Sequence, residues 1–404
     1  MRLTVVAAAA GVAALLVPAP VVAQQVKPIL DFRLRSEQVE QNGTARDAHA
    51  LTFRARGGAE LTSGDWTFLG EGEATAVLDG RYFSGVNSDP LRPIVADPGN
   101  AEINRLQLQY SGVSKTLVTL GRQRINLDDQ RFVGASGWRQ NEQTFDALRV
   151  EYGGITRVKA DVTYSWSDRT IWGIHGEGSR PHAIGGNNVF ANLAYVHSWG
   201  TFTGFGYWVD QDESAVQDFR LSSRTLGGRL AGMRSLGKTV KLSYFGSYAR
   251  QSDLHRNPQR YSADYYLLEG RLDIASVSLA AGYEVLGADK GQPLTSFQTP
   301  LATLHKFQGW ADKFLTTPPN GVRDLYGSAG YGWRKIAGLD VINAGVTWHR
   351  FRSDRLDIPY GSEWDAILSA RRGRLTATAK LADYDANAFA TDTRKVWLQL
   401  EWSY

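Results

Sequence analysis

The chain has 404 residues and a formal charge of +4, from 45 lysines and arginines against 41 aspartates and glutamates. That balance is too small and too dispersed for a nucleic-acid surface. The absence of cysteine excludes a disulfide scaffold, a thiolate metal site and a cysteine-linked lipid anchor. With 42 glycines, 17 tyrosines and 12 tryptophans but only 2 methionines, the composition suits strands, tight turns and interfacial aromatics better than helical cores.

The first element is a signal peptide. Arg2 precedes a run of small and apolar residues from Leu3 to Ala23, and Val21 and Ala23 fit a small-residue cleavage site before Gln24. The mature unit is therefore expected to be a single domain over 24–404. No later stretch reaches 18 apolar residues, so no membrane helix is expected there.

From residue 24 onward the pattern is strand, turn, strand, loop. In 51–61, Leu51, Phe53, Ala55, Gly57, Ala59 and Leu61 share one face, opposite Thr52, Arg54, Arg56 and Glu60. In 157–166, Val158, Ala160, Val162, Tyr164 and Trp166 oppose Lys159, Asp161, Thr163 and Ser165. In 374–381, Leu375, Ala377, Ala379 and Leu381 oppose Arg374, Thr376, Thr378 and Lys380. In 395–404, Val396, Leu398, Leu400, Trp402 and Tyr404 oppose Lys395, Gln399 and Glu401.

Eighteen candidate strands are joined alternately by short and long connections. Short ones fall near Gly64, Gly112, Gly153, Trp199, Leu236, Ala275, Ala337 and Gly373. Long ones fall near 40–48, 79–102, 125–144, 167–187, 210–221, 251–261, 287–324, 351–361 and 385–393. All long loops at one end is the asymmetry of outer-membrane barrels. Many candidate strands run about 10–13 residues, enough at roughly 3.3 Å per residue and a tilt near 45° to cross an apolar band of about 25 Å. The predicted fold is all-β: a transmembrane antiparallel barrel of about 18 strands. It must close, because lipid offers no partner to a free sheet edge. The last strand ends on Tyr404 in step with its apolar face, which is read as the signal for the barrel-insertion machinery.

Two long segments carry a family resemblance. One is Leu120-Gly121-Arg122-Gln123-Arg124-Ile125-Asn126, continuing through Gln130-Arg131-Phe132-Val133-Gly134 and Gly137-Trp138-Arg139-Gln140-Asn141-Glu142-Gln143-Thr144-Phe145-Asp146-Ala147. The other is Phe297-Gln298-Thr299-Pro300-Leu301-Ala302-Thr303-Leu304-His305-Lys306-Phe307, followed by Gln308-Gly309-Trp310-Ala311-Asp312-Lys313-Phe314. They resemble the alginate export family of outer-membrane porins. That resemblance implies an eighteen-stranded monomer with a positively charged pore, in the outer membrane of a Gram-negative bacterium, passing uronate polysaccharide in some members. The turn between the sixteenth and seventeenth strands is only about 371–374, so the long periplasmic plug associated with the exporters has no counterpart. A simpler and more constantly open porin is the alternative.

The channel chemistry is expected on inward-facing positions. Predicted inward cations are Arg33, Arg35, Arg54, Arg56, Arg105, Arg149, Lys159, Arg229, Arg271, Arg334, Arg374 and Lys380. Predicted inward anions are Asp31, Glu60, Glu71, Glu73, Glu151, Asp161, Glu269, Asp273 and Glu284. Facing lipid, a lone lysine or arginine would cost about 2–4 kcal/mol at the midplane. These charges either select solutes or pair into a ladder that keeps the wall wet. If the loop at 125–144 folds inward, Arg122, Arg124, Arg131 and Arg139 crowd the narrowest part, and arginine binds carboxylates through a planar fork. Asp128, Asp129 and Glu142 in the same loop would instead make it a salt-bridged structural element. The loop at 287–324, about 38 residues long, carries His305, Lys306, Trp310, Lys313 and Arg323. The apolar spacing from Phe297 to Phe314 fits a short helix that plugs or caps the outer mouth, or packs on the rim.

The expected function is passive passage of anionic solutes such as uronate polysaccharide or acidic saccharides, with a general diffusion porin as the alternative. The expected partners are membrane lipid and the solute, with no cofactor and no nucleic acid. An enzyme is the reading from another class. It finds no support in the seven histidines, since His175 and His182 sit seven apart in a glycine-rich loop with no third ligand at a diagnostic spacing.

Overall fold

The computed structural model describes residues 25–404. The expected signal peptide, residues 1–23, lies outside the described residues. The strands are β1 (Gln25–Gln41), β2 (Ala48–Ser63), β3 (Trp66–Arg81), β4 (Asn100–Tyr110), β5 (Thr116–Gln123), β6 (Thr144–Tyr152), β7 (Val158–Arg169), β8 (Ala183–His197) and β9 (Gly200–Val209). They continue with β10 (Ser223–Ser235), β11 (Val240–Asp253), β12 (Ser262–Ile274), β13 (Val277–Leu286), β14 (Val322–Ile336), β15 (Leu339–Arg352), β16 (Pro359–Arg372), β17 (Leu375–Ala386) and β18 (Thr393–Ser403). Each pairs antiparallel with the next. The ring closes where β18 returns to β1, from Asp31↔Ser403 to Gln41↔Thr393. Every strand thus has two neighbours, and no sheet edge is left to meet lipid.

Side-chain alternation sets the two surfaces. On β2, Phe53 is exposed while its neighbours Thr52 and Arg54 are both 1% exposed. The outward band holds Leu34, Phe68, Leu108, Leu120, Leu148, Val162, Leu193, Leu226, Leu268, Leu325, Leu368 and Leu398. Aromatics flank it at the short-turn end: Trp66 packs on Tyr110 at 4.5 Å between ring centroids, and Tyr331 on Trp333 at 4.6 Å. An apolar outside over a charged inside is stable only with hydrocarbon outside and water inside. Among the described residues no helix is long and apolar enough to cross a membrane, so the strands do the crossing.

Short turns are made where the chain needs left-handed backbone. Gly64, between β2 and β3, has φ +58°, a conformation open to glycine at little cost. Bulges then shift register locally. One between Glu71 and Gly72 of β3 sets both Asn104 and Arg105 of β4 against Glu71.

The long connections at 124–143 and 287–321 do not stay at the rim. Both enter the barrel and pack on each other and on the wall. The expected helix over 297–314 is not formed: only the three residues Leu304–Lys306 make a 3-10 turn. The segment instead satisfies its backbone through strand-like and side-chain bonds. Gly134 N donates to Leu301 O at 2.9 Å, Thr303 N to Gln130 O at 3.1 Å, and Gln143 Nε2 to Leu301 O at 3.0 Å. Such bonds hold the chain extended, so the apolar spacing serves packing rather than a helix.

Candidate functional site

The site is the mid-lumen, where the two inserted loops meet the wall. Because the lumen is wet, the ordinary hydrophobic effect operates there. Phe132 inserts among Phe205 of β9, Tyr265 of β12 and Phe297 of the other loop, at centroid distances of 5.2, 5.2 and 5.8 Å. Ile125, Val133 and Leu301 complete this core, each 2% exposed or less. Burying a side chain such as Phe132 contributes roughly 2–3 kcal/mol, so the loops are folded parts of the protein.

Electrostatics fasten the opposite side. Asp312 accepts from Lys395 Nζ at 2.8 Å, from Arg139 at 3.1 Å and from His305 Nδ1 at 2.8 Å. His305 Nε2 lies 2.8 Å from Lys380 Nζ, which fixes the neutral tautomer with its proton on Nδ1. Trp138 stacks on His305 at 5.1 Å, and the Lys380 ammonium sits 3.8 Å from the Trp138 ring and 3.7 Å from Trp310. Burial works to raise the Asp312 carboxyl, but Lys395, His305 and Arg139 hold it well below the usual carboxylate range. Burial, with Lys380 beside it, keeps His305 well below an ordinary histidine.

Most of the expected anion-binding arginines are engaged. Arg33 binds Glu401 at 3.1 Å and also donates to the Gly137 and Trp138 carbonyls. Arg54 pairs with Asp31, and Arg56 with Glu73 and Glu142. Arg105 grips Glu71 through Nε and Nη2, at 2.9 and 2.6 Å. Arg124 pairs with Glu142, Arg131 with Glu284 at 2.6 Å, and Arg149 with Asp161. Glu142 is burial-penalised, yet Arg56 and Arg124 hold it down at about 2. The expected crowd of arginines is present in part, with its charge largely cancelled locally.

Arg122 is a correction. It shares the outward face of β5 with Leu120 and binds Asp146 at 2.8 Å, on the lipid side and away from the lumen. Hydrogen bonding to Asp146 and to the Ile103 carbonyl satisfies it there. Arg374 is a second: it lies in the turn before β17 and stacks over Tyr404 at 3.8 Å. Lys159 and Arg334 sit near the short-turn ends of β7 and β14, exposed and with no ion-pair partner among the described residues. Asp312, Asp97 and Lys395 were missed as site residues. Asp97 receives Arg35 at 3.1 Å and the Gln140 amide at 2.7 Å, so it too anchors the first loop.

The segment 304–312 divides the lumen into two chambers. The outer one, 520 Å³, opens among the long loops and is lined by Arg139, Arg180, Lys313 and Lys395, with Asp168 and Asp312 as its carboxylates. Lys313 donates to Gln41 Oε1 at 3.1 Å, and burial together with Lys395 brings its ammonium down to about 8. The inner chamber, 360 Å³, lies under Lys306–Trp310 against β11–β16. Gly309 permits the close approach of this segment to the wall: its φ is +79°, and a Cβ there would fall 2.3 Å from a Glu363 carboxylate oxygen.

Residues 30–167 match the alginate export family. The match spans the first of the two segments that carry the resemblance and almost all of β1–β7. No curated protein matches the sequence. Among solved structures, OccAB4 of Acinetobacter baumannii is similar with a TM-score of 0.69 at 12% identity, over 94% of this chain and 98% of that one. OpdQ of Pseudomonas aeruginosa is similar with a TM-score of 0.68 at 12% identity, again over 94% and 98%. OccK9 (OpdG) of the same species gives 0.69 at 13% identity over the same shares. At those identities the likeness is one of fold, and the chain has the closed eighteen-stranded fold of an outer-membrane porin.

Proposed function

We propose that the barrel works in the outer membrane as a passive channel for small acidic solutes, acidic saccharides such as short uronates among them. The basic outer chamber carries this reading. Arg139 and Lys395 pair with Asp312, and Lys313, in the lining of the same chamber, has no carboxylate within ion-pairing distance among the described residues. A carboxylate entering from the long-loop side meets donors that replace part of its hydration. Two folded loops across the lumen favour short solutes over a continuous polymer. The second reading, a general diffusion porin, is favoured by the pairing of most inward arginines with wall carboxylates.

The reversal potential of the purified protein in a salt gradient separates the two. The acidic-solute reading expects an anion preference that falls in Lys313→Gln. A reversal potential at zero in the native protein favours the unselective porin.

A further inference from the structure

The inner chamber differs from the outer one in sign. Its wall carries Asp129, Glu269, Glu284, Asp324 and Asp365 against Lys306 and Arg271. Two of these carboxylates are neutralised from the side: Asp129 by Arg229 at 3.1 Å and Glu284 by Arg131 at 2.6 Å. The other three have no arginine or lysine partner among the described residues. Asp324 meets only the His349 ring, at 2.9 Å, and Glu269 only the Tyr326 hydroxyl, at 2.5 Å. Asp365 is 1% exposed; its Oδ2 accepts the Trp310 amide at 3.2 Å and lies 3.7 Å from His349 Nε2, its carboxyl sits beside that of Glu363, and its Oδ1 accepts from no N–H or hydroxyl donor among the described residues. A buried carboxylate oxygen without a donor is costly to keep, and a ligand that supplies one relieves that cost.

The donor set also limits the ligand. Among the described residues no group of three acidic or histidine side chains is close enough to hold a metal ion. Aromatic walls at Phe245, Phe307, Trp310 and Tyr326 line the same cavity. Dispersed carboxylates with aromatic faces suit an organic ammonium, which offers several N–H donors and a cation for the rings.

We infer that the inner chamber is a binding site for an amine group, so that the solute this channel favours carries a protonated amine as well as a carboxylate. The carboxylate half of that statement rests on the proposed function above; the amine half rests on the inner chamber alone.

Four six-carbon probes of similar size test it through block of the single-channel current of the full mature protein: glucitol, gluconate, 2-amino-2-deoxyglucitol and 2-amino-2-deoxygluconate. Both amine-bearing probes are expected to half-block at concentrations up to about fivefold lower than their amine-free counterparts, the scale of one partly solvated ion pair. Asp365→Asn and, separately, the milder Glu269→Gln are expected to reduce that advantage. Equal block by amine-bearing and amine-free probes in the native protein overturns the inference, as does an advantage that survives both substitutions. If gluconate blocks no better than glucitol, the acidic-solute reading fails while the amine comparison still decides this one.

Discussion

His305 and Asp312 face each other across the turn of the inserted loop, Nδ1 to Oδ1 at 2.8 Å, and both are tied to the barrel wall through Lys380 and Lys395. This pair joins a segment that divides the lumen to the strands β17 and β18 that enclose it. Solute passage and loop anchoring therefore depend on the same few charges.

Removing the Asp312 charge strands Arg139 and Lys395. Breaking a buried ion pair from one side costs about 3–5 kcal/mol. Asp312→Asn is expected to lower the unfolding midpoint in detergent and to make the open-channel current noisier. An unchanged midpoint with a quiet current would show that the loop does not depend on this anchor.

The same anchor has a pH dependence with a definite sign. His305 binds its proton less well in the fold than the ordinary value of 6.5, so the unfolded chain takes up the proton first as pH falls. The stability tied to neutral His305 is full above about 6.5 and declines below it. Asp312, held well below its ordinary 3.8, keeps its charge through that window and yields only in stronger acid. Thermal midpoints taken between pH 7.5 and 5 should fall in the native protein and fall less in His305→Asn. Parallel slopes would assign the dependence to other groups.

Lys313 supplies a second titration, of opposite sense. Its ammonium loses its proton near pH 8, so a contribution to anion preference present at pH 7 is lost by about pH 9. The reversal potential should move toward zero over that range, and Lys313→Gln should flatten the change. A native profile that is flat from 7 to 9 removes Lys313 from the selectivity.

Gly309 tests the close packing of the partition. Gly309→Ala places a Cβ against Glu363 in a left-handed backbone conformation, a strain of about 1–3 kcal/mol. The expected outcome is a raised current noise with an intact barrel, seen as unchanged β-sheet circular dichroism. A quiet channel would mean that the loop relaxes without cost.

Much of the barrel was legible because its logic is local. Alternation at 51–61 and 374–381, and connections near Gly64 and Gly373, follow from a two-faced wall and need no knowledge of distant residues. Arg122 shows where parity is weak: Val118 and Leu120 share its face, and its partner Asp146 lies on the next strand, 24 residues away. The lumen was much less legible. Asp312 is bound by Arg139, 173 residues distant, and by Lys395, 83 residues distant, and no local pattern marks such a convergence. The apolar spacing from Phe297 to Phe314 fits a helix on sequence alone because a helix face and a packed extended segment both show clustered apolar residues.

The partition itself is open to direct measurement. Replacing residues 303–313 with a short glycine-serine linker deletes the divide between the two chambers while leaving all eighteen strands. Single-channel conductance in planar bilayers should then rise several-fold and the anion preference should weaken. A conductance and a reversal potential equal to those of the native protein would contradict the placement of this segment across the path of the solute.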